Sequence, residues 1–515
     1  MRLGSLTALA LCALTGGLLA LCYPPFSQGW LAWFALAPWL WVVWNATRRL
    51  AVLGSWLAGF TFFAALMSWI AFAGYDRWTL LIWLWLLLSA LESLAFVVAA
   101  LLIRSVRTRS WRAALTCGTA WVVSEWFRSL SPFGLTWGQL GYSQSAYLPI
   151  VQWASVGGVS LISFTIMVWN AALAQVVGRR THQAYLRVAV IAIIVVAMLY
   201  AGARRVANVG QQKTGTHGSG IQIAVIQASA IEPLHVSQLN QPWTEDEQDR
   251  ELRSWEQLTR QAAVTHPCLV VWSESAIPGF LDSSPQLFRR IVGVARQANA
   301  YLLAGGPYED SFGQLFNSAF LIGPRGNQVW RYDKVHLVPF AEYVPGRSWL
   351  PLLKHYTVRE QDLKPGPGHG AFPVGSVKVG PMICFESIFP EIARREVKLG
   401  AQILVIITND AWFGRTAAAE QHAQMSVFRA VETGTWVLRC AGTGISMIIS
   451  PEGRVRARAD LFKRKVLVAR VSTAPITTWH QRRRGFLFPF AMLALWGVLF
   501  SLGLRRARAD LMPEE

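Results

Sequence analysis

The amino-acid sequence predicts a multi-pass α-helical membrane domain joined to an α/β domain. The chain, at 515 residues, is longer than one ordinary soluble domain. Its residues are 53% hydrophobic and include 25 Trp. Long apolar runs occupy both ends of the chain, and the acidic residues among the first 212 positions are only Asp76, Glu92 and Glu125. Between positions 213 and 480, by contrast, charged residues are ordinarily frequent and strand-like patterns alternate with helical ones.

A transmembrane helix needs about 20 apolar residues, and about eight runs qualify. They cover residues 4–22, 26–44, 51–73, 79–103, 112–127, 149–177, 185–202 and 486–504. Arg2 is the only charge before the first run and further runs follow closely, so we expect that run to stay in the membrane rather than be cleaved as a signal peptide. The expected domains are a seven-helix membrane domain at 1–212, an aqueous domain at 213–480, and a last helix with a cytoplasmic tail at 481–515.

The net charge of +19 comes largely from arginines at the ends of apolar runs, which favours membrane anchoring over nucleic-acid binding. With a cytoplasmic N-terminus, the Arg-rich loops at 48–49, 104–112, 179–187 and 505–508 all lie inside, as the positive-inside rule requires. Residues 213–480 are therefore expected on the outer face of the membrane.

Nine strand-like runs are predicted in the aqueous domain, at 221–227, 269–273, 301–304, 317–322, 377–383, 403–408, 436–440, 445–449 and 466–471. Helical patterns separate several of them, at 246–265, 285–299, 388–399 and 417–433. This alternation is typical of a layered α/β domain.

Three of the six cysteines, Cys268, Cys384 and Cys440, lie outside the apolar helices. An oxidising compartment would permit a Cys268–Cys440 disulfide, but both residues lie inside strand-like runs, which favours buried free thiols. No CxxC or HExxH spacing occurs, so no metal site is predicted.

Three polar residues follow or flank predicted strands and have complementary chemistry: Glu274, Lys334 and Cys384. Covalent acyl transfer needs a nucleophile, a base that accepts its proton, and positive charge where the oxyanion forms. We expect Cys384 to be the nucleophile, Glu274 the base and Lys334 the cation, which would also favour the thiolate. The backbone N–H of Phe385, directly after the nucleophile, would complete the oxyanion site.

The sequence around these residues carries a resemblance. The stretches at 272–278, 332–345 and 383–386 resemble the nitrilase, or carbon–nitrogen hydrolase, superfamily. Over essentially its full length the chain resembles the bacterial apolipoprotein N-acyltransferases, a likeness also carried by stretches at 23–26, 137–144, 408–414 and 421–425.

The resemblance implies an α-β-β-α sandwich on the periplasmic side of the bacterial inner membrane and a ping-pong reaction without a cofactor. Cys384 would attack a phospholipid ester, typically of phosphatidylethanolamine, and pass the acyl group to the α-amine of a diacylated apolipoprotein. The positions matched to further family residues are Glu342 and Glu386, expected to orient Lys334 and the substrate, and Trp243, the counterpart of a loop tryptophan.

The chain departs from the family pattern at a few positions. Phe385 stands where members often have Tyr, so a hydroxyl role is absent there, and Cys440 replaces a small polar residue and is interpreted as packing. The loop after the first strand also differs, since residues 227–229 read Gln-Ala-Ser.

Two other functional classes stay open from sequence: a membrane-tethered amidase or nitrilase that uses water as acceptor, and a receptor or transporter. Glu92 and Glu125 lie within or near apolar helices, where ionisable groups are functional candidates by default. We favour a structural role, with Glu125 paired to Arg128. Such a small number of charges within the membrane counts against a transporter.

Overall fold

The protein is described by a computed structural model. It covers residues 4–72, 78–106, 110–130, 134–178, 180–215, 220–228, 244–326, 329–347, 361–368, 370–474, 476–482 and 487–509. Two compact units make up the chain. We call residues 1–72, 77–207 and 482–515 the helical unit, and residues 73–76 and 208–481 the α/β unit.

The α-helices α1 to α17 follow in chain order. They are Ser5–Ala20, Ala32–Ala35, Ala37–Asn45, Arg48–Leu66, Trp69–Phe72, Trp78–Glu92, Leu94–Ser105, Trp111–Ser129, Leu148–Val151, Ala154–Gly178, His182–Gly215, Glu245–Ala263, Pro285–Ala298, Pro390–Lys398, Ala418–Thr433, Trp479–Arg482 and Leu487–Ala509.

Within the described residues, four helical stretches are long and apolar enough to cross a membrane: Arg48–Phe72, Leu81–Ser105, Ala154–Gly178 and His182–Gly210. Shorter apolar helices are Ser5–Ala20 and Phe488–Leu502. The predicted run at 26–44 is interrupted at Leu36, between α2 and α3. The expected count of eight spans therefore stays a prediction.

In the helical unit, two of the stretches that carry the family resemblance, 23–26 and 137–144, contact each other. The Tyr23 hydroxyl donates to the carbonyl oxygens of Gln139, at 2.8 Å, and Gly138, at 3.2 Å. Nearby, Gln144 Nε2 donates to Gly29 O at 2.7 Å. These buried side chains donate to backbone carbonyls of a distant segment and so tie two interhelical segments together.

Arg128 pairs with Glu92 rather than with Glu125, which corrects the sequence expectation. Arg128 Nη1 lies 3.1 Å from Glu92 Oε2. Glu125 Oε1 instead accepts hydrogen bonds from Trp121 Nε1 at 2.9 Å and Leu140 N at 2.7 Å. Both carboxylates are buried and have protein partners, which supports the structural interpretation.

The α/β unit contains two six-stranded sheets, ordered β12-β1-β2-β3-β4-β5 and β11-β10-β9-β8-β7-β6. Strands β1 to β12 are Gly220–Gln227, Leu269–Val271, Tyr301–Glu309, Leu315–Ile322, Val329–Asp333, Phe372–Val374, Val377–Ile383, Ile403–Thr408, Trp436–Ala441, Ser446–Ile449, Val455–Ala459 and Lys465–Ser472. Strands β1, β2 and β3 are parallel neighbours in the first sheet, and β7, β8 and β9 in the second. The carboxyl ends of the parallel strands lie at one edge of each sheet, and functional side chains of α/β domains are commonly found at such edges.

The two sheets bury one hydrophobic core between them, which includes Val225, Val271, Ile383, Ile407 and Leu438. Each such side chain contributes about 1.5–3 kcal/mol by leaving water. Helices α12 and α13 cover the outer face of the first sheet, and α14 and α15 pack on the second. The layers are therefore α-β-β-α, and the expected sandwich is confirmed.

Helix ends in the outer layer follow their capping residues. Thr244 accepts from the backbone N–H of Glu247, whose side chain accepts from Thr244 N, so a capping box starts α12. Ser284 caps α13, Pro285 is its first residue, and Asn299 ends it in the left-handed conformation. The helix bounds predicted at 246–265 and 285–299 are thus close to those observed.

Candidate active site

The candidate residues lie where strands end. Glu274 follows β2, Lys334 follows β5 directly, and Cys384 follows β7 directly. The two sheets meet here, since the backbone N–H of Asn409, just after β8, donates to Glu274 Oε2 at 2.7 Å. A Cβ at Gly305 on β3 would lie 2.7 Å from the Cα of Glu274, so a glycine is required for this close approach.

A buried hydrogen-bonded group joins one ammonium to two carboxylates. Lys334 Nζ is 2.9 Å from Glu342 Oε1 and 3.8 Å from Glu274 Oε1, and Lys334 is 1% exposed. Asn317 Nδ2 bridges the same two oxygens, donating to Glu274 at 2.7 Å and to Glu342 at 2.9 Å. Glu342 Oε2 accepts from Val338 N at 2.8 Å. Each polar group is thereby held in one position.

The two carboxylates differ in proton affinity. Burial raises the pKa of Glu274, and the charge of Glu342 adds to this, against the opposing effect of Lys334. Burial acts on Glu342 in the same direction, but Lys334, Val338 N and Asn317 outweigh it and lower the pKa of Glu342. The pKa of Lys334 is raised because Glu342 and Glu274 outweigh its burial. Glu342 and Lys334 are therefore a fixed ion pair, while Glu274 is able to take up a proton.

Cys384 is held in a strained backbone conformation. Its φ is +53°, in the left-handed region that costs a residue with a Cβ roughly 1–2 kcal/mol. The residue opens the 3-10 helix Cys384–Ile388, whose first N–H groups have no partner within the helix. Ser387 Oγ donates to the Cys384 carbonyl at 2.8 Å. The thiol is thus carried on a sharp turn directly after a buried strand.

The thiol is protonated at rest. Burial raises the pKa of Cys384, the charge of Glu274 raises it further, and the opposing effects of Lys334 and of the Thr408 hydroxyl are smaller. Lys334 therefore acts in the expected direction, towards the thiolate, but burial and the charge of Glu274 outweigh it. Proton transfer to a neighbouring base must accompany attack by this sulfur.

Glu386 is a buried carboxylate that joins two segments of the site through hydrogen bonds. It is fully buried, with Oε1 accepting from Val335 N at 2.7 Å and His336 N at 3.1 Å, and Oε2 accepting from Ile383 N at 2.7 Å. The Tyr332 hydroxyl lies 2.9 Å from both oxygens. The carboxylate joins the segment after Lys334 to the end of β7, and its expected role in orienting Lys334 and the substrate stays a prediction.

Phe385 is half-buried, and its ring packs edge-on against Phe389 and beside His336, with centroids 5.2 Å and 5.8 Å away. These rings form an aromatic cluster that begins at the residue after Cys384. Trp243 lies outside the described residues.

Sequence reasoning missed Asn317 as a member of the site. The available signal was a lone amide within the apolar run of β4. Cys268 and Cys440 are both free, and Cys440 Sγ donates to Ile226 O at 3.1 Å in the core. Among the described residues, no three His, Cys, Asp or Glu side chains form a group that could hold a metal ion.

Comparison with known proteins identifies the family to which this chain is related. Residues 223–481 match the carbon-nitrogen hydrolase model, and residues 15–172 match the N-terminal domain of apolipoprotein N-acyltransferase. The apolipoprotein N-acyltransferase of Geobacter metallireducens is 33% identical over 507 residues, which cover 96% of this chain and 94% of that protein.

The chain belongs to the apolipoprotein N-acyltransferase family. Another family member, from Azotobacter vinelandii, is 29% identical over 98% of this chain and 96% of its own length. Among solved structures, an amidase from Nesterenkonia sp. matches with a TM-score of 0.40 and 19% identity, covering 53% of this chain and 96% of the amidase. A nitrilase-superfamily protein from Saccharomyces cerevisiae matches with a TM-score of 0.39 and 18% identity, covering 50% of this chain and 91% of that one.

Replacing Glu386 should destabilise the α/β unit. In Glu386→Ala, three backbone N–H groups and the Tyr332 hydroxyl lose their buried acceptor, and each such group costs about 1–3 kcal/mol. We expect the free energy of unfolding to fall by about 3 kcal/mol or more, measured by urea unfolding of the full chain in detergent. The matched control, Glu309→Ala, removes an exposed carboxylate and should change it by less than about 0.5 kcal/mol. Equal losses in both variants would contradict this structural role of Glu386.

Proposed function

We propose that this chain is a membrane N-acyltransferase that moves an acyl chain from a phospholipid, through a thioester at Cys384, to the N-terminal amine of diacylated apolipoproteins. The observation that carries the proposal is the unequal pair of carboxylates around Lys334, beside a protonated thiol. One carboxylate fixes the cation and the other can accept a proton, which is the division of labour that covalent acyl transfer needs. Family membership supplies the substrate class.

In the first half-reaction, Glu274 takes the proton of the Cys384 thiol as the sulfur attacks the ester carbonyl carbon. The C–S bond forms and the carbonyl electrons move to oxygen, where the Lys334 ammonium and the Phe385 N–H stabilise the negative charge. Collapse of this intermediate breaks the ester C–O bond. Glu274 gives its proton to the departing alkoxide, so the products are a thioacyl-enzyme and a lysophospholipid.

In the second half-reaction, the α-amine of the diacylglyceryl-cysteine attacks the thioester carbonyl. Glu274 accepts a proton from the amine and returns it to the sulfur as the C–S bond breaks, which restores the thiol. We propose phosphatidylethanolamine, acylated at sn-1, as the donor, following the family resemblance. Glu342 holds Lys334 in both halves, since their 2.9 Å contact needs no rearrangement.

The α/β unit is proposed to lie on the periplasmic side of the bacterial inner membrane, with the domains divided at residues 212 and 480. The arginines that flank alternate apolar runs support this orientation.

The covalent intermediate gives the decisive experiment. Purified protein incubated with phosphatidylethanolamine should gain one acyl group on the Cys384 peptide by mass spectrometry, and adding a diacylated lipopeptide should transfer that group to its amine. Cys384→Ala should abolish both, and Lys334→Met should lower the thioacylation rate by at least about 100-fold, as loss of an oxyanion donor does.

A control on folding is the unfolding transition of each variant, which should keep its cooperativity. Normal thioacylation in Lys334→Met would contradict the role of that cation. Release of ammonia from small amides without lipid transfer would favour the amidase, and transfer that survives Cys384→Ala would exclude both covalent schemes.

Thioacylation should lose rate in acid, because Glu274 must be deprotonated to act as the base. Its pKa is raised above the usual carboxylate value, so the acid limb of the pH–rate profile should lie above about pH 4.3. The Asn317 hydrogen bond lowers that pKa, so Asn317→Ala should shift the limb to higher pH. The control Gln314→Ala, at an exposed position before β4, should leave the profile unchanged. A limb that stays in place or moves to lower pH in Asn317→Ala would refute this assignment of Glu274.

The orientation can be tested with single cysteines at exposed positions. In intact spheroplasts of a strain expressing the chain, a membrane-impermeant maleimide should label Glu309→Cys, which lies in the α/β unit, and should not label Arg48→Cys until the membrane is permeabilised. The reverse pattern would place the α/β unit in the cytoplasm.

A further inference from the structure

A buried charged cluster lies behind the nucleophile and has no part in the reaction just described. Its members are Asp410, His422 and Arg439, all no more than 1% exposed. Asp410 follows β8, His422 lies on α15, and Arg439 lies on β9. Two neighbouring strands of the second sheet and the helix packed on them therefore converge on one point.

The cluster is closely connected. Arg439 Nη2 donates to Asp410 Oδ2 at 2.7 Å and lies 3.0 Å from His422 Nδ1. His422 Nδ1 is 3.1 Å from Asp410 Oδ1. An ion pair withdrawn from water often contributes little net stability, because desolvation offsets the Coulombic attraction. Stability alone is therefore a weak reason for this arrangement.

The other side of the imidazole reaches the nucleophile's backbone. His422 Nε2 lies 3.3 Å from the Cys384 carbonyl oxygen and 2.9 Å from Ser387 Oγ, which itself donates to the same carbonyl. A second connection runs through Thr408, whose hydroxyl donates to Asp410 Oδ1 at 2.9 Å and also hydrogen-bonds with the Cys384 thiol. The cluster thus contacts both ends of Cys384.

Cys384 requires such support, because its φ of +53° is unfavourable for a residue with a Cβ. A strained turn persists only where surrounding contacts over-determine it. We propose that His422, fixed by Asp410 and Arg439, is a positioning residue that holds the Cys384 carbonyl and so aims the thiol for attack. The inference rests on the proposed function insofar as the reaction being positioned is the thioacylation of Cys384.

The electrostatics favour positioning over proton transfer. Burial and the neighbouring Arg439 lower the pKa of His422, and Arg439, the largest opposing effect, outweighs burial to hold the pKa of Asp410 well below its usual range. The imidazole is neutral beside this ion pair and donates from one nitrogen only: Nδ1 accepts from Arg439 Nη2, which leaves Nε2–H to donate to the Cys384 carbonyl. Its contacts go to the carbonyl of Cys384 and to Ser387, whereas the thiol is contacted by Thr408. The ring therefore acts through hydrogen bonds.

Two substitutions at position 422 separate the two sides of the ring. The amide of Gln in His422→Gln extends to the position of Nε2 and can still donate to the Cys384 carbonyl. The shorter amide in His422→Asn matches Nδ1, so it keeps the Asp410 side and loses the Cys384 side. Thr433→Val serves as a control on α15, since its hydroxyl bonds to Arg429 O and Thr435 away from the nucleophile.

The test is single-turnover thioacylation of the full chain by phosphatidylethanolamine in detergent, with the unfolding midpoint measured for each variant. We expect His422→Asn to lower the maximal rate at least about tenfold at unchanged half-saturating lipid concentration, and His422→Gln and Thr433→Val to stay within about threefold of the parent. Equal rates in the Asn and Gln variants would overturn the proposal, as would a rate loss that only follows the unfolding midpoint.

A second measurement does not depend on acyl transfer. The pH midpoint for alkylation of Cys384 by iodoacetamide, followed on its peptide by mass spectrometry, should move by about one unit or more in His422→Asn and stay unchanged in His422→Gln. If the parent protein forms no thioester while this alkylation difference is found, the proposed function fails and the positioning role stands. If the parent is thioacylated and the midpoints of all variants coincide, the positioning role fails alone.

Discussion

The contact on which the site depends is the ammonium of Lys334 shared between two buried carboxylates. One cation offsets only one of the two negative charges, and the shorter 2.9 Å contact goes to Glu342, with 3.8 Å to Glu274. Glu342 is thereby kept ionised, whereas burial, together with the charge of Glu342, raises the pKa of Glu274 and favours its protonation. Two residues of the same type thus differ in proton affinity, partly because of their different distances to one nitrogen.

The distances between these site residues are set by the α-β-β-α sandwich, which brings the two sheets together. Glu274 comes from the first sheet and Cys384 from the second, and the Asn409 N–H to Glu274 bond and the Glu386 carboxylate join the two edges. Burying these polar groups is costly unless each is hydrogen-bonded, so the network forms completely or the fold loses stability. The rigidity required for chemistry and the stability of the α/β unit therefore have the same source.

The sequence predicted those strands and candidate residues that depend on local residue patterns. All nine strand-like runs are strands, because alternating or continuous apolar residues are fixed by burial. Three short or mixed strands escaped: β5 and β11 carry Arg among their apolar residues, and β6 has three residues. Candidate residues at strand ends were visible, but Asn317, the partner of Arg128 and the hydrogen bonds of Glu386 were not. These depend on which distant segments meet, and no local pattern encodes that.

The protonation state of the thiol illustrates the same limit and has a mechanistic consequence. A lysine beside a cysteine predicts a thiolate only if the sulfur stays hydrated, and here burial and the Glu274 charge outweigh Lys334. A neutral thiol is a weak nucleophile towards adventitious electrophiles and oxidants, because the thiolate is the reactive form. In the proposed reaction, attack becomes favourable only when an ester carbonyl reaches Lys334 and the proton moves to Glu274 in the same step. Burial thus couples the reactivity of the sulfur to the presence of a bound acyl donor.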